Sequence, residues 1–401
     1  MTSYIIAGET VDSEAPVFQQ KLADALAAQI RPLCACNEER AKQPMVIAHH
    51  THQGSTRFIL RRLPEAGKLH ASHCQHFEGI KGLVAFEDLA AGAIRKNPDT
   101  DQATLRLGFP LIQAEQRRFA TSRDPEQTSS KRPPAPTGLK PLGLLHYMWA
   151  SSELVRMSGA LQTRRNWAVV RNRLLACIMK LGTARHELAP LVFIPQIFEL
   201  EQKARLESAF RMRLNHASSH REAVLLIGEV KSVENLAVTI KHLPFVQFRA
   251  DETCRAHLAS AWEEVGARQQ ACAEARVVAL LVLMVSRDGV CLIRSLDLMT
   301  VTRHWIPFAS VAQFELLTVL DQGRRDYDRL LDAGSQTLAD VLLIDTGDRG
   351  TACLIHPSQM PESQASLLAE LQREHQPVWQ WNLDEAMPPL PLRAAWRHHA
   401  P

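Results

Sequence analysis

Three cysteines and a histidine bracket one short stretch of this chain. Cys34 and Cys36 stand one residue apart, and His70 and Cys74 return four apart at the end of "FILRRLPEAGKLHASHC". Zinc takes four soft or borderline ligands in a tetrahedron, and a thiol is deprotonated at neutral pH chiefly when a metal is there to hold it. The segment between, "PMVIAHHTHQGSTRFILRRLP", reads as a β-hairpin: two β-rich runs flank Gln53-Gly54-Ser55, and Pro44 and Pro64 mark the ends. A hairpin brings both ligand pairs to one end, as in a zinc ribbon. The expected metal site is therefore Cys34, Cys36, His70 and Cys74 around a structural Zn²⁺. With four protein ligands it is closed, with no open position for catalysis. His73 and His76 are close enough to replace His70, and His50 and His52 share a strand face that reaches the same region. The competing reading is three buried thiols beside surface histidines, in a chain with 17 of the latter.

A length of 401 residues exceeds one ordinary core. Composition is globular, 46% hydrophobic and 22% charged, and the net charge of +3 argues for no partner by itself. "MTSYIIAGETVDSEAP" lacks the basic and apolar regions of a signal peptide. The longest apolar run, Val277 to Val285, is far short of the ~20 residues a membrane helix needs. A cytoplasmic location without membrane association is the expectation, and there eight cysteines serve as metal ligands or buried thiols rather than structural disulfides.

The expected class is α+β and multidomain: a zinc-ribbon-like β-hairpin unit, a helical middle and a C-terminal mixed α/β domain. Residues 1–120 form the N-terminal β unit. Residues 121–141, "TSRDPEQTSSKRPPAPTGLKP", form a linker rich in Pro, Ser and charge. Residues 142–220 are a basic helical segment, and 221–401 alternate strand candidates with helices.

"RRNWAVVRNRLLACIMKLG" belongs to that helical segment. Between Leu142 and Arg185 seven basic residues face one acid, Glu153. On a helical wheel Trp167, Val170, Leu174, Cys177, Ile178 and Leu181 make an apolar stripe. Arg165, Arg173 and Lys180 fall opposite, and Arg164 and Arg171 at the margin. Such a face suits DNA or RNA phosphates, and a solvated surface equally. Three successive helices would also fit a helix-turn-helix-like unit.

"LADVLLIDTGDRGTACLIH" has the cadence of a restriction-endonuclease-like core, in which an acid opens one strand and an acid-x-lysine pair follows on the next. Asp340 or Asp345 supplies the first acid. The next strand, Ala352 to His356, carries neither acid nor lysine, so the fold reads as degenerate and catalysis as lost. Glu229 and Lys231 alternate onto one strand face, but no strand-borne acid lies shortly before them. Cys254 with His242 or His257 has no sequence reason to form a thiol–imidazole pair. Trp379 and Trp381 read as sheet cover. No Walker loop, G-x-S-x-G elbow, H-E-x-x-H motif or dinucleotide fingerprint occurs, and no small-molecule substrate is evident.

The Cys-x-Cys pair, the "FILRRLPEAGKLHASHC" return, "RRNWAVVRNRLL", "LLIGEVK", "HWIPF" and "GRRDYDRLL...LIDT" together resemble domain-of-unknown-function family 1173 over nearly the whole chain. That is an uncharacterised bacterial family, often carried by integrating and conjugative elements, with N-terminal cysteines as its hallmark. The resemblance implies a mobile-element setting and mobile-element partner proteins, and no mechanism. The function expected is an accessory protein that contacts nucleic acid or a partner protein. The alternatives are a divergent metal-dependent nuclease and a protein–protein adaptor with a purely structural zinc.

Overall fold

The structure, a computed structural model, describes residues 3–13, 15–36, 42–52, 55–63, 66, 70, 74, 76, 92–97, 100, 102–112, 138–158, 165–285, 290–331 and 339–394. The protein is mixed α+β and divides into two compact units, 1–84 and 85–401. The sequence reading set its first boundary at 120. The expected linker lies outside the described residues except for its last four, where Leu139 bridges to Leu107 and Pro141 starts a helix.

In the first unit run β1 (Ser3–Ile6), β2 (Glu9–Asp12), α1 (Phe18–Ala27), β3 (Leu33–Cys34), β4 (Gln43–His52) and β5 (Ser55–Arg62). Ala7 and Gly8, at φ 50° and 86°, make the two-residue turn that folds β2 back on β1. The strands form one antiparallel sheet in the order β2-β1-β3-β4-β5. Helix α1 buries Phe18, Leu22 and Ala25, spaced i, i+4, i+7, against Tyr4, Ile6, Val11, Met45 and Leu60. The hairpin of the sequence reading is present as β4 and β5, with His49 opposite Phe58. It is the edge of a larger sheet with its own core, more than a bare zinc ribbon, because β1 and α1 supply large apolar side chains.

The second unit begins with β6 (Ile94–Lys96), β7 (Ala103–Leu105), α2 (Pro141–Ser151), β8 (Arg156–Met157), α3 (Trp167–Ile178), β9 (Leu181–Gly182) and β10 (Val192–Phe193). There follow α4 (Lys203–His220), β11 (Ala223–Glu234), β12 (Ala237–Ile240), β13 (Gln247–Ala250), α5 (Arg255–Ala271), β14 (Arg276–Val285) and β15 (Cys291–Val301). The chain continues through α6 (Val311–Gln322), β16 (Tyr327–Arg329), β17 (Val341–Leu343), β18 (Thr351–His356), α7 (Glu362–Arg373) and β19 (Val378–Asn382).

Strand β11 pairs with β14 through Glu229 and with β12 from Val230 onward, so the ring β11-β12-β13-β15-β14 closes on itself, with β10 added alongside β11. Gly228 sits just before the change of partner. A Cβ there would lie 2.6 Å from Ile240 Cγ2, so only glycine lets the strands approach. Both faces of β11 and β14 are buried, which is why their sequences read as unbroken apolar runs. Leu225, Ile227, Leu280 and Val282 share a core with Leu144, Trp149, Trp167 and Leu174 of α2 and α3. Val224, Leu226, Ala279 and Leu281 share another with Leu206 and Phe210 of α4 and Leu258 of α5. Residues 142–220 are thus built into the same cores as the strands after 221. No helix-turn-helix-like trio forms, since α4 packs in a different core from α2 and α3.

A second sheet, β19-β18-β17-β16-β8, is antiparallel except for the β18–β19 pair, which α7 connects. Its core gathers Leu316, Leu317 and Leu320 of α6 with Tyr327, Val341, Cys353, Trp379 and Trp381. A further small sheet has three strands in the order β6-β7-β9. Among the described residues no helix is long and apolar enough to cross a membrane.

Candidate metal centre

Cys34 is fixed by β3, where it pairs with Tyr4 on one side and Gln43 on the other. Cys36 follows two residues later, in a bend just past the end of β3. His70 and Cys74 come from the segment after the hairpin. Cys34 Sγ lies 3.6 Å from Cys74 Sγ, and His70 Nδ1 lies 3.5 Å from Cys36 Sγ and 3.6 Å from Cys74 Sγ. All four ligand atoms fall within 4.8 Å of one another.

These separations match those of a tetrahedral zinc shell. Zn–S bonds of about 2.3 Å and Zn–N bonds of about 2.0 Å at tetrahedral angles put sulfurs about 3.8 Å apart and sulfur and nitrogen about 3.5 Å apart. A disulfide would need a far closer approach, and all eight cysteines are free thiols. The four residues therefore stand as a ligand shell that could hold a metal ion.

Burial makes the shell costly without a cation. It pushes the Cys34 thiol far up and the Cys74 thiol up, with the Cys36 thiol adding to the rise of both while Cys34 opposes that of Cys74. It pushes His70 down, helped by the charge of Arg62. A divalent cation reverses the logic for the thiols, since it is the thiolate that ligates. His70 Nδ1 faces the sulfurs, while its Nε2 is buried without a hydrogen-bond partner among the described residues. An imidazole aimed at the sulfurs in this way is placed to ligate through Nδ1.

His76 stands beside the shell. Its backbone N–H donates to Cys74 Sγ at 3.4 Å, and its Nε2 lies 2.7 Å from the Tyr4 hydroxyl. Burial, His70 and Arg62 bring its pKa down to about 4. It supports a ligand from outside, a role the sequence reading missed, since an N–H to sulfur contact leaves no mark in residue spacing. His73 lies outside the described residues. His50 and His52 sit on β4, with side chains outside the described set.

The arginines of the basic helix have other occupations. Arg165 is buried and donates to the carbonyls of Leu154, Arg156 and His304. Arg171 Nε donates to Ile194 O, and Arg173 donates to Ser152 O and lies 3.6 Å from Glu153. Lys180 is exposed beside a cleft of about 340 Å³ that Lys96, Arg173 and Glu153 also line. Arg164 lies outside the described residues. The apolar stripe of the wheel, from Trp167 to Leu181, is buried throughout.

The acids of the nuclease reading are also engaged. Asp340 opens β17, but Gln313 Nε2 donates to its Oδ1 at 2.6 Å and the Ile355 N–H to its Oδ2 at 2.8 Å. The alternate positions on β18 are Cys353 and Ile355, both buried. Arg325 holds Asp345 with two hydrogen bonds of 2.6 and 2.7 Å, and Arg393 lies 3.2 Å away. Glu229 is buried with Lys241 at 2.9 Å and Arg276 at 3.7 Å. The expected Glu229–Lys231 face is broken, because a bulge between Val230 and Ser232 interrupts the alternation and leaves Lys231 exposed. Among the described residues, the Cys/His shell is the group of three or more metal-capable side chains that converges.

Cys254 is buried, its thiol pushed up to about 11 by burial and by Asp251 and Asp297. His242 Nδ1 accepts from the Phe198 N–H and His257 lies 3.0 Å from Asp297, so no thiol–imidazole pair forms. Trp379 and Trp381 are buried, their indole N–H groups donating to Pro389 O and Glu385 O.

No curated protein matches this chain, and no solved structure does. The family model described as "Protein of unknown function (DUF1173)" matches residues 4–384, nearly the full length, and the chain belongs to that family.

Proposed function

We propose that this protein is a zinc-binding, non-catalytic accessory protein of a bacterial mobile element, working in the cytoplasm by contact with nucleic acid or a partner protein. The observation that carries the metal half is the spacing of Cys34, Cys36, His70 and Cys74, whose ligand atoms stand at tetrahedral separations. Three thiolates and one imidazole form a soft donor set, which favours zinc over oxygen-seeking cations. A closed four-ligand shell supplies folding energy and leaves no site for a reacting water. The mobile-element setting rests on the family resemblance.

The nuclease alternative has support in Asp340 at the opening of β17. Against it stand Cys353 and Ile355 where a second carboxylate and a lysine are needed, and Asp340 oxygens already engaged by Gln313 and Ile355. Incubation of plasmid and single-stranded DNA with the pure protein and Mg²⁺ or Mn²⁺ separates the readings. We expect no cleavage. Cleavage abolished by Asp340→Ala would replace this proposal with the enzymatic one. Partner capture that persists at high salt, without retention of DNA or RNA at low salt, would favour the adaptor reading, since phosphate contacts weaken steeply with salt.

A further inference from the structure

The barrel offers a more specific reading of the nucleic-acid half. Its strands run β11-β12-β13-β15-β14 and back to β11, with β13 parallel to β15 and every other neighbour antiparallel. Helix α5 lies in the chain between β13 and β14, the third and fourth barrel strands in sequence order. This is the strand order and helix placement of an OB-fold, a five-stranded Greek-key barrel. In such barrels the outer face of the second and third strands receives oligonucleotides or oligosaccharides. Topology assigns no ligand by itself, so the side chains on that face have to decide.

We propose that the exposed side chains of β13 and of the β11 bulge, standing on either side of the buried small residues Ala237 and Thr239 of β12, seat single-stranded nucleic acid through its phosphates. This rests on the nucleic-acid reading above and is independent of the metal. Three observations meet there. First, the helices pack chiefly elsewhere on the ring: α2 on β14 and β15, α4 on β11 and β14, and α5 on β14 and β15, with α4 meeting β13 through the inward-facing Phe248. Second, Lys231, Gln247 and Arg249 are exposed and form no side-chain hydrogen bond or ion pair among the described residues. Other cations of the barrel are neutralised: Lys241 by Glu229, and Arg294 by Asp251. Glu234 is the acid of this face and stands on β11, across β12 from Arg249.

Third, the turn joining β11 to β12 is held in an unfavourable conformation. Asn235 and Leu236 have φ of 51° and 60°, as a two-residue type I′ turn requires, and Leu236 is 36% exposed. A leucine in the left-handed region costs stability, and this one still leaves over a third of its surface in solvent. Its buried neighbour Ala237 pairs with Arg249, so the exposed part of Leu236 and an unneutralised guanidinium stand together at this end of the barrel. Phe248 points into the barrel and is fully buried, so the face has cations without a stacking ring there. Cations without a ring favour a phosphate backbone over a sugar chain, and phosphate contacts carry little sequence preference.

Fluorescence anisotropy with a labelled oligothymidylate of about twenty nucleotides, longer than one OB site, tests this. The wild-type chain should bind at low salt, and bind a duplex of equal length less well. Lys231→Glu with Arg249→Glu should weaken binding about tenfold or more and flatten the salt dependence by about 1.4 in log–log slope, about 0.7 for each phosphate no longer neutralised. Leu236→Gly places the preferred Asn-Gly pair in the turn, so it should leave melting no lower while still weakening binding severalfold. Arg205→Glu, exposed on α4, should change neither. Ultraviolet cross-links should fall between residues 231 and 250. Unchanged binding in both barrel variants, equal retention of duplex, or cross-links confined to other segments would overturn this seat and leave nucleic-acid contact standing. No retention by the wild type would remove both, with metal content on the same samples deciding the zinc half separately.

Discussion

The sheet of residues 1–84 and the barrel of β11–β15 solve the same problem differently. The barrel closes on itself and buries both faces of its long strands, so its cores are apolar throughout. Among the described residues the first sheet has one helix, a smaller core and two sulfurs of its ligand shell inside that core, Cys34 and Cys74. Neutral thiols and an orphaned imidazole nitrogen make poor filling compared with leucine. The difference assigns stability to strand closure in one region and, on the zinc-binding proposal, to a bound metal in the other. A metal should therefore matter to β1–β5 and hardly to β11–β15.

The largest effect should come from removing the metal. Structural zinc contributes roughly 10 kcal/mol to folding in small sites. Chelation, or Cys36→Ser, should strip amide-exchange protection from β3 and β4 while leaving β11 and β14 protected. Equal loss in both regions would break the comparison.

Next stands Arg165. Truncation to Ala leaves the Leu154 and Arg156 carbonyls without their donor in a buried site, at a cost of about 3 kcal/mol. Urea unfolding should show that loss, against almost none for Lys180→Ala, with metal content unchanged in both. A harmless Arg165→Ala would return that side chain to the candidate nucleic-acid surface.

Gly228→Ala should cost about 1–3 kcal/mol, because the new Cβ meets Ile240 and the strands must part. The loss should appear in β11 and β12 exchange and spare β1–β5.

The smallest effect is a pH dependence. His242 is held neutral chiefly by burial, and its Nδ1 accepts from Phe198. Its folded pKa lies below the ordinary 6.5, so its contribution is intact above that value. The contribution is lost as pH falls below 6.5 toward the folded pKa, where the unfolded chain already binds the proton. The difference in melting temperature between pH 7 and pH 5 should shrink in His242→Asn, and an unchanged difference would assign the acid sensitivity to other groups.

The sequence was informative where local chemistry dominates. Val277 to Val285 became β14, "TACLIH" became β18, and the hairpin flanks became β4 and β5 around Gln53 and Gly54. Helix ends were less legible: α3 stops at Ile178, and Gly182 lies in β9 instead of closing the helix. The four metal-capable residues could be read from their types and spacing. The sheet order could not, since ring closure depends on β12, a four-residue strand too short to announce itself. Charge was the misleading signal. A helical wheel places Arg165 and Arg171 outward or at the margin, but it knows nothing of the carbonyls of Leu154 and Ile194 that turn them inward. Lys231 escaped its expected face through a bulge, which residue alternation cannot foresee.

X-ray absorption at the zinc edge of the purified full-length chain tests the account most directly. It predicts one zinc per chain in a shell of three sulfurs at about 2.3 Å and one nitrogen at about 2.0 Å. A spectrum without bound zinc, or with a shell of oxygen and nitrogen alone, would contradict it.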